Sequence, residues 1–252
     1  MVEGLKTYKA LFISDLHLHP DDKRLGELFD RFLKWATENT ESLYILGDFF
    51  HAWAGDDATD AWSASIARQI KRLTQAGVAC YFMPGNRDFL IGDHFSALAG
   101  WTLLPDPCVQ QFGEHRVLLT HGDRYCTRDV KHQCFRRLTR GWWFRQAFLK
   151  LSLQRRQTWV NQLRRYRQLH HTQEAAYRKD VTQQAVSKDC ARYHVQTVIH
   201  GHTHRPMCVQ SSGSQGVYKR YVLSDWDDTP TILGYNTTLD EPFYMGDLSC
   251  HD

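Results

Sequence analysis

Long apolar runs are missing from this chain. None approaches the ~20 residues that a membrane-spanning helix needs, and the mean hydropathy is −0.52. Residues 1–9 mix Glu with Lys and lack the apolar stretch of a secretory leader, so no leader is expected. Cys-x-x-Cys is absent too. The seven cysteines, at 80, 108, 126, 134, 190, 208 and 250, are scattered and odd in number. They read as reduced cytosolic thiols and argue against a disulfide framework or a zinc knuckle. Acidic residues are missing from 131–170, which hold eleven Lys or Arg. A net charge of +3 therefore hides a basic block inside an acidic remainder of 20 basic and 28 acidic residues. Such a block points to an anionic partner: a membrane surface, a nucleotide or a nucleic acid. A solvated helical face is the plainer reading, although such faces normally mix both signs. Proline is absent from 127–192, and glycine occurs there once.

The 252 residues suit one large domain, or a domain with an insertion, and 42% hydrophobic residues supply a core. Residues 10–13 form an apolar, strand-like run. Leu25, Leu28, Phe29, Phe32, Leu33 and Trp35 then recur at helical spacing over 22–38. Strands at 42–46 and 78–82 bracket a second amphipathic helix over 62–75, stopped by Gly77. This βαβαβ order implies parallel strands covered by helices. Gly113-Glu114 between 109–112 and 116–119 signals a hairpin. Strands are expected again at 195–199, 207–209 and 218–223, with a polar turn over 211–216. Between them, 127–192 reads as a helical insertion, with Trp143, Ala147 and Leu151 at i, i+4, i+8 and Phe144 and Phe148 beside them. The expected division is a core of 1–126 and 193–252 interrupted by this insertion.

Five short blocks carry the chemistry: Asp15-Leu16-His17, Gly47-Asp48, Gly85-Asn86-Arg87-Asp88, His121-Gly122-Asp123 and Gly201-His202-Thr203-His204. Each follows an apolar run, and in parallel α/β sheets ligands collect at the carboxyl ends of the strands. Asp15 and His17 are two apart, as are His202 and His204, so an extended backbone would put each pair on one face. Asp48 can bridge two cations, and Asn86 offers a neutral oxygen. Carboxylate, amide and imidazole donors without thiolate suit Mn²⁺, Fe²⁺ or Zn²⁺ more than Ca²⁺. Paired ions of this kind suit attack of water on a phosphate ester. His200 is expected to point away from its neighbours, and no role is assigned to His19, His51, His115, His170 or His171. One block alone is weak evidence; five in order are not.

These blocks resemble the calcineurin-like metallophosphoesterases over nearly the whole chain. The resemblance implies a four-layer α/β/β/α sandwich with two divalent metals at its edge. It would assign Asp15, His17, Asp48 and His204 to one metal, and Asp48, Asn86, His121 and His202 to the other. Most of that superfamily has His after the metal-binding Asn, where this chain has Arg87. Tyr44 to Asp48, Ala52 to Asp57, Cys80 to Phe82, Gly85 to Gly92 and Thr102 to Pro105 look like one branch of it, the UDP-2,3-diacylglucosamine pyrophosphohydrolases of lipid A biosynthesis. That likeness implies cleavage at the α-phosphate to UMP and 2,3-diacylglucosamine 1-phosphate, usually with Mn²⁺, and a helical cap for the acyl chains. Asp129 falls on a substrate-contacting position, joining Asn86, Arg87 and His202. In the cap the pattern departs: Arg167, His171 and Glu174 stand where the branch has Ser, Asn and Lys, and no roles are carried over to them.

Arginine holds its proton too tightly to act as a general acid. Arg87 can instead grip a pyrophosphate with two hydrogen bonds and stabilise a leaving sugar phosphate. That suits an anhydride better than an alkyl ester. The expected catalytic residues are Asp48, Asn86, Arg87 and His121. Trp142, Trp143, Phe144, Phe148, Leu149, Leu151 and Leu153 could line an acyl groove or pack the insertion onto the body. The expected partners are a nucleotide-linked lipid and the anionic cytoplasmic face of an inner membrane, with no nucleic acid. The alternatives are another phosphoesterase with a different cap, a scaffold that has lost its chemistry, and a basic helical module for nucleic acid. The sequence does not determine the oligomeric state.

Overall fold

The computed structural model describes residues 6–169, 180–213, 216–227 and 230–247, and in the helix ending at Leu169 it omits the side chains of 164 and 166–169. His171 and Glu174 lie outside the described residues, as does the side chain of Arg167. Two sheets stack. The first has the order β11 (Phe243–Asp247), β10 (Thr231–Tyr235), β1 (Ala10–Ile13), β2 (Ser42–Ile45), β3 (Ala79–Phe82), β4 (Thr102–Leu103). β1 to β4 are parallel neighbours, and β10 and β11 join antiparallel. The second has the order β5 (Cys108–Phe112), β6 (His115–Thr120), β7 (Thr197–His200), β9 (Gly216–Val222), β8 (Met207–Gly213), with β6, β7 and β9 parallel.

Alternation along the strands builds the layers. Leu11, Ile13, Leu43, Ile45, Cys80 and Phe82 face outward into a core shared with α1 (Lys23–Asn39), α2 (Ala61–Gln75) and α3 (Asp93–Ala99). The intervening Ala10, Phe12, Tyr44, Leu46 and Met83 face the other sheet, meeting Val117, Leu119, Ile199 and Tyr221. Because side chains of a strand point to opposite faces in turn, each buried strand feeds two cores at once. On the far face of the second sheet, Leu118, Val198 and Tyr218 pack against Val186 and Cys190 of α7 (Gln183–Tyr193). The result is the expected α/β/β/α order. Helix starts follow side-chain chemistry: Asp22 accepts the Leu25 N–H at 2.9 Å, and Asp60 and Ser63 form a reciprocal capping box.

Three features differ from the sequence reading. First, α7 falls inside the 127–192 stretch but covers the second sheet. Second, Ser211, Ser212 and Gly213 do not turn; they pair with Tyr218, Val217 and Gly216, because a polar run suits an exposed edge strand. Third, α5 (Trp142–Leu149) buries Phe148, not the Trp143, Ala147, Leu151 series. Phe144, Leu149 and Trp159 pack beside Phe148 on the main core, whereas Trp142 and Trp143 are 61% and 79% exposed.

The stretch 130–169 contributes α4 (Val130–Thr139), α5 and α6 (Leu153–Leu169). Four of its eleven basic residues are spent on docking. Arg136 donates to Asp123 at 3.0 Å and to Asp106 at 2.8 Å. Arg140 donates to the Pro84 and Gly85 carbonyls, and Arg145 to Ile91 O. Arg156 is only 2% exposed; it binds both oxygens of Asp57 and the carbonyls of Ala54 and Leu151. Asp57 itself is 59% exposed, so the pair is asymmetric. Asp57→Ala strands a buried cation, and about 3 kcal/mol of lost stability is expected, the low end for breaking a buried pair. Adding Arg156→Met should restore part of it, as apolar replacements of buried pairs often do. Urea unfolding of both variants checks this; equal midpoints for Asp57→Ala and wild type would contradict it.

Candidate metal centre

The carboxyl ends of β1, β2 and β3 in one sheet meet those of β6 and β7 in the other. There Asp15, His17 and His204 form one group and Asp48, His121 and His202 a second, with the ligand atoms of each within 4.8 Å of one another. His17 Nε2 lies 3.3 Å from His204 Nε2. Asn86 Oδ1 lies 3.2 Å from His121 Nε2, which is 3.6 Å from Asp48 Oδ1. Asp48 stands between the groups, since its Oδ2 is 4.0 Å from His17 Nδ1. All seven residues singled out by spacing therefore converge.

They do not converge through extended backbone. Six non-glycine residues among those described have a positive φ, and five are Asp15, His17, Asp48, His202 and His204. Asp and His tolerate this left-handed region better than most residues, yet it remains strained. Tight left-handed turns re-aim each side chain where its strand stops. Backbone bonds then lock the loops together: Asp15 N–H to Gly47 O, His17 N–H to Asp48 O, and Gly201 N–H to His121 O, all within 2.9–3.0 Å. His202 N–H donates to Asp15 Oδ2 at 2.7 Å, and His121 Nδ1 lies 2.9 Å from Leu46 O, tying one sheet to the other. A side chain at Gly85 would overlap the Asp48 backbone and carboxylate, so only glycine permits this approach.

Burial sets the electrostatics. It would raise the Asp15 carboxyl, but contact with His204 and the charges of His121 and His17 hold it well below the usual range. Asp48 is likewise lowered, burial being outweighed by His121 and His17. Burial lowers His17 to about 4, helped by Arg87, and His202 to about 3, helped by His121. His121 goes the other way: burial opposes it, but Asp48, Asp15 and Asp123 raise it to about 9. His204 rises to about 10 against burial through Asp15 and Asp225. Each group thus pairs one carboxylate with one imidazolium in the ion-free protein.

The donor set fits divalent cations. Asp15 Oδ1 is buried without a hydrogen bond, and His17 Nδ1 is also without one. In the ion-free protein the His204 imidazolium, its Nε2 3.3 Å from Asp15 Oδ1, is the charge that offsets this burial, and a divalent cation would take over that role. Cation binding requires neutral imidazole, so loading near pH 7 should expel protons from His121 and His204. Because their ion-free pKa values lie at about 9 and about 10, affinity should rise with pH across the neutral range. Titration calorimetry in buffers of differing ionisation enthalpy measures this release; a buffer-independent heat would refute it.

Arg87 lies beside Asp48, with its Nε 3.5 Å from Oδ2 and its backbone N–H donating to Oδ1 at 2.8 Å. Asp129 caps α4 by accepting the His132 N–H at 2.9 Å. His200 is buried against Gly201 O and Arg220, outside both groups. His51 Nδ1 lies 3.4 Å from Arg87 Nη1, a neighbour that spacing did not suggest. Several supporting residues were also not anticipated. Asp88 accepts the N–H groups of Gly85 and Phe49 at 2.7 Å each, joining the two loops that carry Asn86 and Asp48. Asp123 and Asp106 receive Arg136 of α4, and His132 stacks on His202 with ring centroids 5.6 Å apart. Asp225, in the loop after β9, lies 2.9 Å from His204 Nδ1. An acidic residue just past a strand was the available signal for Asp225, whereas Asp88 already stood in the Gly85-Asn86-Arg87-Asp88 block without an assigned role.

A sandwich of this order, with clustered carboxylates and imidazoles at its strand ends, defines a metallophosphoesterase. The chain belongs to the calcineurin-like phosphoesterase family, whose sequence profile matches residues 8–206. Within the family it is similar to proteins named UDP-2,3-diacylglucosamine hydrolase. The one from Aeromonas hydrophila is 40% identical over 224 residues, covering 89% of this chain and 93% of that protein. The one from Stenotrophomonas maltophilia is 40% identical over 231 residues, again covering 89% and 93%. Among solved structures, an archaeal phosphodiesterase superposes on 95% of this chain and 99% of its own at a TM-score of 0.45 and 13% identity.

Proposed function

We propose that this protein hydrolyses UDP-2,3-diacylglucosamine at its α-phosphate, releasing UMP and 2,3-diacylglucosamine 1-phosphate. The observation that carries the reading is the pair of carboxylate–histidine groups meeting at Asp48 with an arginine beside them. Identity near 40% over nine-tenths of the chain to proteins named for this substrate supports the choice.

Asp15, His17, Asp48 and His204 would hold one divalent ion, and Asp48, Asn86, His121 and His202 the other, with Mn²⁺ the proposed metal. Bound ions of this kind neutralise phosphoryl oxygens and lower the pKa of a water. Arg87 lies at the mouth of the site, its side chain partly exposed, and its fork would bind the pyrophosphate and stabilise charge on the departing sugar phosphate. Asp88 fixes the loops behind it. Arg140 donates to the Pro84 and Gly85 carbonyls, which ties the insertion to the loop that carries Asn86. Mass spectrometry of products formed with Mn²⁺ tests the reaction. UMP with the lipid phosphate is expected; UDP with a free sugar would mean a different bond, and cleavage of bis-p-nitrophenyl phosphate alone would favour another phosphoesterase.

The insertion, read from the sequence as 127–192, is proposed to span 127–182, because α7 covers the second sheet and the Thr127 and Thr182 hydroxyls meet at 2.8 Å. Asp129 is proposed to cap α4 and turn its second oxygen to substrate. No helix among the described residues is long and apolar enough to cross a membrane. Lys131, Arg137, Leu138, Trp142 and Trp143 are all exposed within 131–143, a basic and aromatic stretch suited to peripheral contact with anionic lipid at the inner membrane. Raised salt should strip the protein from phosphatidylglycerol vesicles; salt-independent binding would remove the electrostatic part.

A further inference from the structure

Four imidazoles face the two proposed ions, and their outer nitrogens are supported differently. His121 Nδ1 meets a backbone carbonyl, Leu46 O, at 2.9 Å. His17 Nδ1 has no hydrogen bond, and its nearest carboxylate oxygen, Asp48 Oδ2, is 4.0 Å away. The His202 ring stacks on His132. Among the described residues, only His204 has a carboxylate outside the cluster at its second nitrogen: Asp225 Oδ2 lies 2.9 Å from Nδ1, while Nε2 points to Asp15 Oδ1 at 3.3 Å.

The loop that presents Asp225 is anchored on both sides. Before it, the Ser224 hydroxyl accepts the Thr231 N–H at 2.8 Å and donates to the Asp225 carbonyl at 2.7 Å. After it, Trp226 is fully buried and packs edge-on against Phe32 and Phe29. Asp225 reaches the cluster through His204 alone and is not itself one of the grouped ligands. It is partly open to water. Among the described residues, its side chain pairs with the histidine.

We propose that Asp225 is a positioning residue for the Asp15/His17/His204 ion, and that the two ion sites are unequal because only this one has a carboxylate behind its histidine. The inference rests on the two-ion reading above. A carboxylate at the far nitrogen fixes the tautomer with a lone pair on Nε2, orients the ring and increases the ligand's basicity; removing such a partner typically weakens metal affinity about 10–100-fold. The substitution should therefore act at one ion only. The Asp48/Asn86/His121/His202 ion takes none of its ligands from the Asp225 loop and should be untouched.

Equilibrium dialysis of Mn²⁺ against the full chain tests this. Wild type should bind two ions. Asp225→Ala should keep one at wild-type affinity and bind the other about 10–100-fold more weakly. Asp225→Asn, whose amide oxygen can still accept from Nδ1, should fall between them. Electron paramagnetic resonance at sub-saturating Mn²⁺ should show an isolated ion in Asp225→Ala where wild type gives a coupled pair. Thermal unfolding of the ion-free proteins should show only a slight fall in Asp225→Ala, from the loss of one partly exposed Asp225–His204 pair. Two ions at wild-type affinity in Asp225→Ala would overturn the proposal, as would an equal loss at both sites with a melting point lowered well beyond this, since that is a folding effect. If wild type itself binds fewer than two ions, the two-ion reading fails first and takes this inference with it.

Discussion

Asp48→Asn is expected to lower kcat by about 10³-fold or more and to leave at most one ion bound. Asparagine has nearly the same shape, so the reason lies in where its atoms must go. Asp48 Oδ1 accepts the Arg87 backbone N–H at 2.8 Å. An asparagine that keeps this bond puts its NH₂ where Oδ2 was, 3.5 Å from Arg87 Nε and 4.0 Å from His17 Nδ1. A donor then faces a donor, and the charge proposed to serve both ion sites is gone. The opposite amide orientation loses the backbone bond instead. Metal analysis alongside turnover separates binding from chemistry. Two retained ions with activity within tenfold of wild type would show that Asp48 does not link the sites.

Arg87→Ala should reduce turnover of the pyrophosphate substrate by about 10²–10³-fold, the scale of losing one well-placed charge donor in a reaction centre. Metal content should not change, because the bond from residue 87 to Asp48 Oδ1 is made by the backbone and survives any substitution but proline. Arg87→Lys should recover only part of the loss: it keeps the charge but not the planar two-pronged geometry. Substrates whose leaving group is already stable should be less sensitive to either change. An Arg87→Ala enzyme of normal turnover would place the leaving group elsewhere.

Much of this was readable in the chain, for identifiable reasons. The strands of the first sheet alternate between two apolar faces, so β1, β2 and β3 read as continuous apolar runs. The helices between them carry their stripes at regular spacing, and each ligand sits directly past a run. What failed did so where tertiary context overrides local pattern. Asp15 and His17 share a site through left-handed turns that no periodicity reports. The basic stretch looked like one surface, but Arg136, Arg140, Arg145 and Arg156 face acids and carbonyls distant in sequence. Phe148 and Trp143 are equally apolar, and only the approach of Trp159 and the main core decides which is buried. Asp225 follows Leu223-Ser224 in the same way that Asp15 follows Ile13-Ser14, so it was visible in principle.

The left-handed residues at the ligand turns set selection for robustness against selection for turnover. Asp15, His17, Asp48, His202 and His204 occupy backbone shapes in which glycine would be more comfortable. A library of this protein screened only for survival on heating, without metal, should accumulate substitutions first at His17, whose outer nitrogen has no hydrogen bond, and such a protein would be more durable and lack a ligand. Screens for durability therefore need the ions present throughout, so that the cations themselves reward the strained shapes.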